Sequence, residues 1–237
     1  MKRIAILFGC LCLLVAGSHA QKIKTGLPVF SLYGKNHTPS DEMLKDIDAL
    51  VYDIQDVGCR SFTYISTLYN VMKAATKNKI KVVVLDRPNP LGGEKIEGNY
   101  TEDDCVSFVS QFKIPYVYGM TPGEVALYLN GEGLIPGGKC DLQVIKMKGW
   151  KRRMTYEDTG LHWGLSSPHI PEASTSPFYS VTGIIGELNN ISIGVGYTLP
   201  FKLIGAEWIK APEFADRMNS LKLPGVTFRP IYYTPYY

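Results

Sequence analysis

A chain of 237 residues with 25 Lys and Arg against 22 Asp and Glu, and with 45% hydrophobic residues, is a core-forming globular protein of one large domain or one and a fraction. So even a charge balance leaves no overall basic footprint for nucleic acid or for an anionic membrane surface. Five cysteines without metal-type spacing exclude a disulfide-stapled scaffold and a zinc-finger site.

The first segment, residues 1–20, has the layout of a secretory signal peptide: Lys2-Arg3, an apolar run from Ile4 to Val15, then Ser18-His19-Ala20 before Gln21. Its apolar core is too short to span a bilayer comfortably, so cleavage after Ala20 is expected and no membrane attachment after it. Cleavage removes Lys2 and Arg3, which brings the balance to 25 − 2 = 23 against 22. Cys59, Cys105 and Cys140 then remain, enough for one disulfide at most.

Leu27–Tyr33 reads as a strand closed by Gly34, and Thr38-Pro39-Ser40-Asp41-Glu42 as the capped entry of a short helix. Ala49–Tyr52 is a short apolar run that suits a strand buried on both faces. It runs into Asp53, Gln55, Asp56 and Arg60 around Gly58. From Thr63 to Asn78, Ile65, Leu68, Tyr69, Met72 and Ala75 recur at spacings of three and four, which predicts a helix with one packing face. Val82–Leu85 repeats the design of the first cluster, with Asp86, Arg87 and Asn89 on a Pro/Gly-stiffened loop behind it. Strand, helix, strand makes a right-handed βαβ unit with parallel strands, so both polar clusters fall at the carboxyl edge of one sheet. Open α/β folds bind their ligands there.

Further along, Glu94–Cys105 reads as a solvated loop, its Glu102-Asp103-Asp104 run included. Thr121-Pro122-Gly123-Glu124 predicts a capping box on a helix through Leu129, with Glu124 as cap rather than catalyst. Asp141–Met147 returns as a strand. Lys148–Ser176 is long and aperiodic and carries Trp150, His162, Trp163, Ser166, Ser167, His169 and Glu172, the texture of a binding loop. Tyr179–Leu188 and Ala211–Leu221 are expected helices, and Ile191–Tyr197 and Val226–Pro230 expected strands.

No G-x-G-x-x-G, Walker A, G-x-S-x-G or H-E-x-x-H pattern occurs, so nucleotide, serine-hydrolase and zincin readings lack their signatures. Carboxylates, amides, aromatics and arginines remain, the usual lining of a carbohydrate site. Asp53, Asp56 and Asp86 are the candidate catalytic groups; no metal and no cofactor is expected. Each residue also has a structural alternative. Asp53 would accept backbone N–H groups at the strand end, Arg60 would brace Asp56, and Asp86 with Arg87 would staple the Pro88-Asn89-Pro90 turn.

The segments D-I-Q-D-V-G-C-R-S-F-T-Y-I-S-T at 53–67, V-L-D-R-P-N-P-L-G-G at 84–93, I-E-G at 96–98, I-P-Y-V-Y-G-M-T-P-G-E at 114–124 and M-K-G-W at 147–150 resemble the bacterial exo-β-N-acetylmuramidase family. The resemblance implies an α/β fold: a Rossmann-like, mainly parallel sheet with flanking helices over 21–150, and part of a smaller α+β domain over 151–237. It also implies a periplasmic or secreted glycoside hydrolase that releases N-acetylmuramic acid from the non-reducing end of peptidoglycan fragments. Gln55, Arg60, Tyr64, Arg87, Asn89, Glu97, Ser167 and His169 are then expected to bind a peptidoglycan-derived sugar.

The chain departs from the family at three places. The family's opening portion carries a Pro-Glu-His-Gly motif whose glutamate is the proposed catalytic acid, and this sequence has no such motif. The family's W-x-x-P-S-P-N-x-P and G-R-G-T patterns appear here as Trp163–Pro171, with Ser166 and His169 substituted, and as Gly194–Tyr197. Family members also continue past the equivalent of Pro235. A truncated, inactive relative that at most binds cell-wall sugars is therefore the alternative expectation.

Overall fold

In a computed structural model, residues 4–8, 29–34 and 36–235 are described, the first of these by backbone pairing only. The chain forms two compact units, one ending at Pro168 and one running from His169. Lys151–Pro168 thus packs with the first unit, past the expected boundary after Trp150.

The first unit is built on a four-stranded parallel sheet, β1 (Ile4–Phe8), β2 (Ala49–Asp53), β3 (Lys81–Leu85) and β4 (Leu142–Ile145), in that spatial order. The α/β class and the parallel pairing of β2 with β3 match the sequence reading. Strand β1, in register from Ile4 on Ala49 to Phe8 on Asp53, comes from the apolar run read as a leader. Short aliphatic runs satisfy an edge strand as readily as a signal core.

Two helices cross the sheet, α1 (Tyr64–Asn78) between β2 and β3 and α2 (Pro122–Gly131) between β3 and β4. Successive right-handed crossovers that step the same way across a sheet put both helices on one face. In agreement, α1 and α2 touch each other. Leu50 and Tyr52 of β2 and Val82 and Val84 of β3 are buried in one core with Ile65, Leu68 and Met72 of α1 and Val125 and Leu129 of α2. Each such side chain contributes about 1.5–3 kcal/mol by leaving water. On the opposite face Val51, Val83 and Leu85 are only half-buried and Ile145 is exposed. The expected two-sided burial of β2 is thus corrected: this second face is only half-buried.

Helix α1 ends where Lys79 turns left-handed, its N–H donating to Ala75 and Thr76 carbonyls. Helix α2 begins with the expected capping box: the Thr121 hydroxyl accepts from Glu124 N–H and the Glu124 carboxylate accepts from Thr121 N–H. A cap of this kind is worth about 1 kcal/mol.

Several sequence expectations are corrected. Residues 29–34 form no strand; 27 and 28 lie outside the described residues. The helix expected after Thr38 is only turns over Asp41–Asp46, closed by Leu44 N–H to Ser40 O and Ile47 N–H to Leu44 O. Asp46 takes a left-handed φ of 64°, which breaks any helix before β2 can begin. Among the described residues, Cys105 and Cys140 take part in no disulfide.

The second unit carries α3 (Thr175–Gly186) and α4 (Ala211–Ser220). Ile170, Ala173, Phe201, Leu203 and Ala215 are among its buried apolar residues, and Tyr179 meets Phe201 edge-on with ring centres 4.9 Å apart. The strands expected at Ile191–Tyr197 and Val226–Pro230 are absent; a single antiparallel bridge joins Ser192 to Gly205. Two Asn219 side-chain bonds to Phe228 hold the chain after α4 in an irregular path.

Candidate functional site

The carboxyl ends of β2 and β3 lie side by side, and the polar residues behind them sort into an inner and an outer set. Asp53 is the last residue of β2, and Arg87 follows β3 by two. Arg87 Nε donates to Asp53 Oδ1 at 2.6 Å and its terminal NH2 lies 2.5 Å from the same oxygen. The Asp53 side chain is 19% exposed and that of Arg87 37%, so the pair faces outward and its net worth to stability is small. Asp53 Oδ2 takes no hydrogen bond among the described residues.

The inner set is sealed. Gln55, Asp56 and Asn89 are 5%, 2% and 2% exposed. Gln55 Nε2 donates to Pro88 O at 2.8 Å and Asp56 O at 2.7 Å, tying one strand tip to the other. Asn89 donates to Met120 O at 3.0 Å and accepts Leu91 N–H at 2.9 Å. Gly58, at φ +84°, presents its α-carbon to the Asn89 carboxamide; a Cβ there would lie 2.3 Å from Asn89 Oδ1. Asp56 accepts Gly58 N–H at 2.8 Å and the Tyr118 hydroxyl. Burial pushes Asp56 up to about 6, against the lowering pull of Tyr118 and of the Gly58, Val57 and Ile65 N–H groups. Burial, with the Asp56 charge beside it, holds the Tyr118 phenol well above its ordinary value.

Asp86 belongs to neither set. Oδ1 accepts Gly123 N–H at 2.8 Å and Arg87 N–H at 3.1 Å, and Oδ2 accepts the Thr121 hydroxyl at 2.9 Å. It is a brace at the start of α2, where a carboxylate is favoured by the helix N-terminus. Burial nevertheless raises its carboxyl above the usual range, more than those bonds lower it.

Of the three candidate acids, Asp86 has both oxygens bonded, whereas among the described residues Asp53 Oδ2, on a partly exposed side chain, and Asp56 Oδ2, fully buried, take no hydrogen bond. Arg60 does not brace Asp56. Its guanidinium donates to Asn99 O at 2.9 Å and Ile114 O at 2.6 Å and lies 5.9 Å from the Tyr116 ring centre. Tyr64, at the first turn of α1, donates to Ser166 O, and burial lifts its hydroxyl to about 12. That bond brings Ser166 and its half-buried neighbour Ser167 to the β2 side of the edge. Glu97 is exposed, its backbone paired with Val117, and no hydrogen bond or ion pair joins its side chain to Asp53 or Arg87. His169 is exposed at the start of the second unit.

Three residues that the sequence reading passed over organise the surroundings. Arg152 donates to Gly93 O, to Gly119 O at 2.6 Å and to Glu124 Oε1 at 2.7 Å, so it fastens the loops after β3 and β4 to the cap of α2. Tyr118 covers Asp56, and Tyr156, buried, donates to His162 O at 2.9 Å. Arg152 lies in K-M-K-G-W-K-R-R at 146–153, a basic run visible in the sequence but lost in the whole-chain charge. Glu102, Asp104 and Cys105 could meet at one point in the exposed loop, yet Asp104 beside it keeps the Cys105 thiol raised and so protonated.

An open parallel sheet with helices across it and polar groups gathered at its carboxyl edge defines an α/β protein of the ligand-binding kind. The chain belongs to the NamZ family: residues 15–174 match the family described as Exo-beta-N-acetylmuramidase NamZ, N-terminal, and 177–237 match Exo-beta-N-acetylmuramidase NamZ, C-terminal. It is 51% identical over 212 residues to the peptidoglycan beta-N-acetylmuramidase NamZ of Bacillus subtilis, a match over 90% of this chain and 50% of that one. Two crystal structures of DUF1343 family proteins from Bacteroides fragilis share the fold. One is 58% identical with a TM-score of 0.90, over 98% of this chain and 60% of that one. The other is 32% identical with a TM-score of 0.73, over 86% and 62%. The chain thus spans about half the length of the curated relative and less than two thirds of each solved one.

Proposed function

We propose that the protein is a secreted glycoside hydrolase that releases N-acetylmuramic acid from the non-reducing end of peptidoglycan fragments. The observation that carries the reading is the Asp53–Arg87 pair at the sheet edge of a chain half-identical to a peptidoglycan β-N-acetylmuramidase. Asp53, with one oxygen held by the guanidinium and the other open, is placed to orient water or to face positive charge growing on the sugar ring. Arg87 fixes the carboxylate's direction. Purified protein, incubated with a chromogenic N-acetylmuramic acid glycoside, is expected to release the chromophore, and Asp53→Asn to slow release at least about 100-fold. Equal release by the variant overturns the assignment.

A second reading is binding without turnover. Glycoside hydrolysis ordinarily uses two carboxylates, and Asp56 and Asp86 are both engaged inside the protein. Binding of the sugar to wild type without any release would select it. Export rests on the leader pattern at residues 1–20. A mature N-terminus at Gln21 in protein recovered outside the cytoplasm is the expected result, and such cleavage would remove β1 and make β2 the edge of the sheet.

A further inference from the structure

A hollow of about 430 Å³ lies at the carboxyl ends of β3 and β4, lined among others by Pro88, Met147, Lys148, Trp150, Met154 and Leu161. Its size falls in the range of roughly 300–1,000 Å³ that small ligands occupy. Pro88, in its lining, is the residue after Arg87, so the hollow and the Asp53–Arg87 pair share the loop that follows β3. Trp150 lies against the β3 loop because Gly93 has no side chain; a Cβ there would sit 3.0 Å from Trp150 Cη2. The indole Nε1 is buried and has no acceptor among the described residues. A buried N–H of this kind is ordinarily satisfied, by protein, water or a bound molecule.

The charge around the hollow is predominantly positive. Lys146, Lys148, Lys151, Arg152 and Arg153 are all exposed, and among the described residues only Arg152 has a carboxylate partner, Glu124. Acids do follow at Glu157 and Asp158, but Asp158 is turned onto Thr155, accepting from its N–H at 2.8 Å and its hydroxyl at 3.1 Å. The walls are apolar and soft, two methionines, a leucine, a proline and an aromatic face that suits the C–H face of a sugar. Such a lining fits a group that is apolar next to the ring and anionic at its tip.

We propose that this hollow is a subsite for an acidic ether substituent of the sugar, with the Lys148 ammonium reading its carboxylate and Trp150 packing on its stem. The inference rests on the peptidoglycan reading above and adds to it the basis of preference for muramic acid over the neutral glucosamine. A lysine contributes a point charge here, not a forked grip, so arginine can stand in for it only by charge.

Calorimetric titration of the full chain with the methyl glycosides of N-acetylmuramic acid and N-acetylglucosamine tests it. Wild type is expected to bind the acidic sugar about tenfold or more tightly than the neutral one, a preference that shrinks as salt rises. Lys148→Met should bring the two sugars to parity by weakening the acidic one alone, and Lys148→Arg should restore part of the gap. Lys148 is exposed, so these variants fold. Equal binding of both sugars by wild type, or a preference unchanged in Lys148→Met, overturns the proposal and leaves the glycosidase reading standing. Failure of wild type to bind either sugar overturns both.

Discussion

Two sets of polar residues stand within a few positions of one another at the sheet edge, and they do opposite work. Gln55, Asp56 and Asn89 are sealed and spend their hydrogen bonds on the chain itself, while Asp53 and Arg87 face outward and spend theirs on each other. Both sets hold a carboxylate and a nitrogen donor, so residue type does not separate them. What separates them is the segments laid over the tips: Tyr118 and Met120 close the inner set, while the outer pair keeps part of its surface in solvent. Substitutions in the inner set should therefore damage folding, and those in the outer set should damage binding or catalysis.

Gly58→Ala presses hardest on this contrast. A methyl group there meets the Asn89 carboxamide, which is held at both ends, and alanine must also adopt a φ of +84°. Overpacking and left-handed strain together should cost about 3 kcal/mol or more in urea unfolding. A loss under about 1 kcal/mol would show that Asn89 can step aside. Asn89→Ala comes next. It strands the Met120 carbonyl and the Leu91 N–H in a dry place, which should cost about 2–3 kcal/mol.

Asp56 gives the contrast a pH signature. Its folded carboxyl titrates near 6, above the ordinary 3.8, so the protonated form is the one the fold prefers. Stability from this group is fully present below about pH 4, is lost as pH rises through about 6, and is flat above that. The difference is on the order of 2–3 kcal/mol. Asp56→Asn keeps an oxygen for Gly58 N–H and the Tyr118 hydroxyl and has no charge to bury. Denaturant unfolding at pH 4.5 and 7.5 should show the variant gaining on wild type as pH rises. Parallel pH slopes would mean that Asp56 titrates as an ordinary carboxyl.

The division into two sets was not legible in the sequence, though their existence was. Short apolar runs followed by Asp, Gln, Asn and Arg located β2, β3 and the polar tips, and the spacing of Ile65, Leu68, Met72 and Ala75 located α1. Thr121 and Glu124 marked the start of α2 because a capping box is purely local. Which acid is buried depends on Tyr118, 62 residues beyond Asp56, and which acid is occupied depends on Thr121 and Gly123, 35 and 37 beyond Asp86. No local pattern carries that information. The strands expected at Ile191–Tyr197 and Val226–Pro230 failed for a related reason: β-branched and aromatic residues make a strand only where a neighbouring strand pairs with them.

The smallest effect on folding should come from the outer set, and it is the most informative. Arg87→Met removes the guanidinium from Asp53 but leaves the carboxylate within reach of water, since its side chain is already 19% exposed. A partly exposed ion pair is worth less than about 1 kcal/mol, so the unfolding midpoint should barely move. Turnover should fall about 100-fold all the same, because a carboxylate that swings freely no longer presents its open oxygen in one direction. Stability and turnover then part company at Arg87, whereas at Gly58 and Asn89 activity is lost only as the protein unfolds. A loss of about 3 kcal/mol in Arg87→Met would place it with the inner residues, and the separation between scaffold and site at this sheet edge would no longer hold.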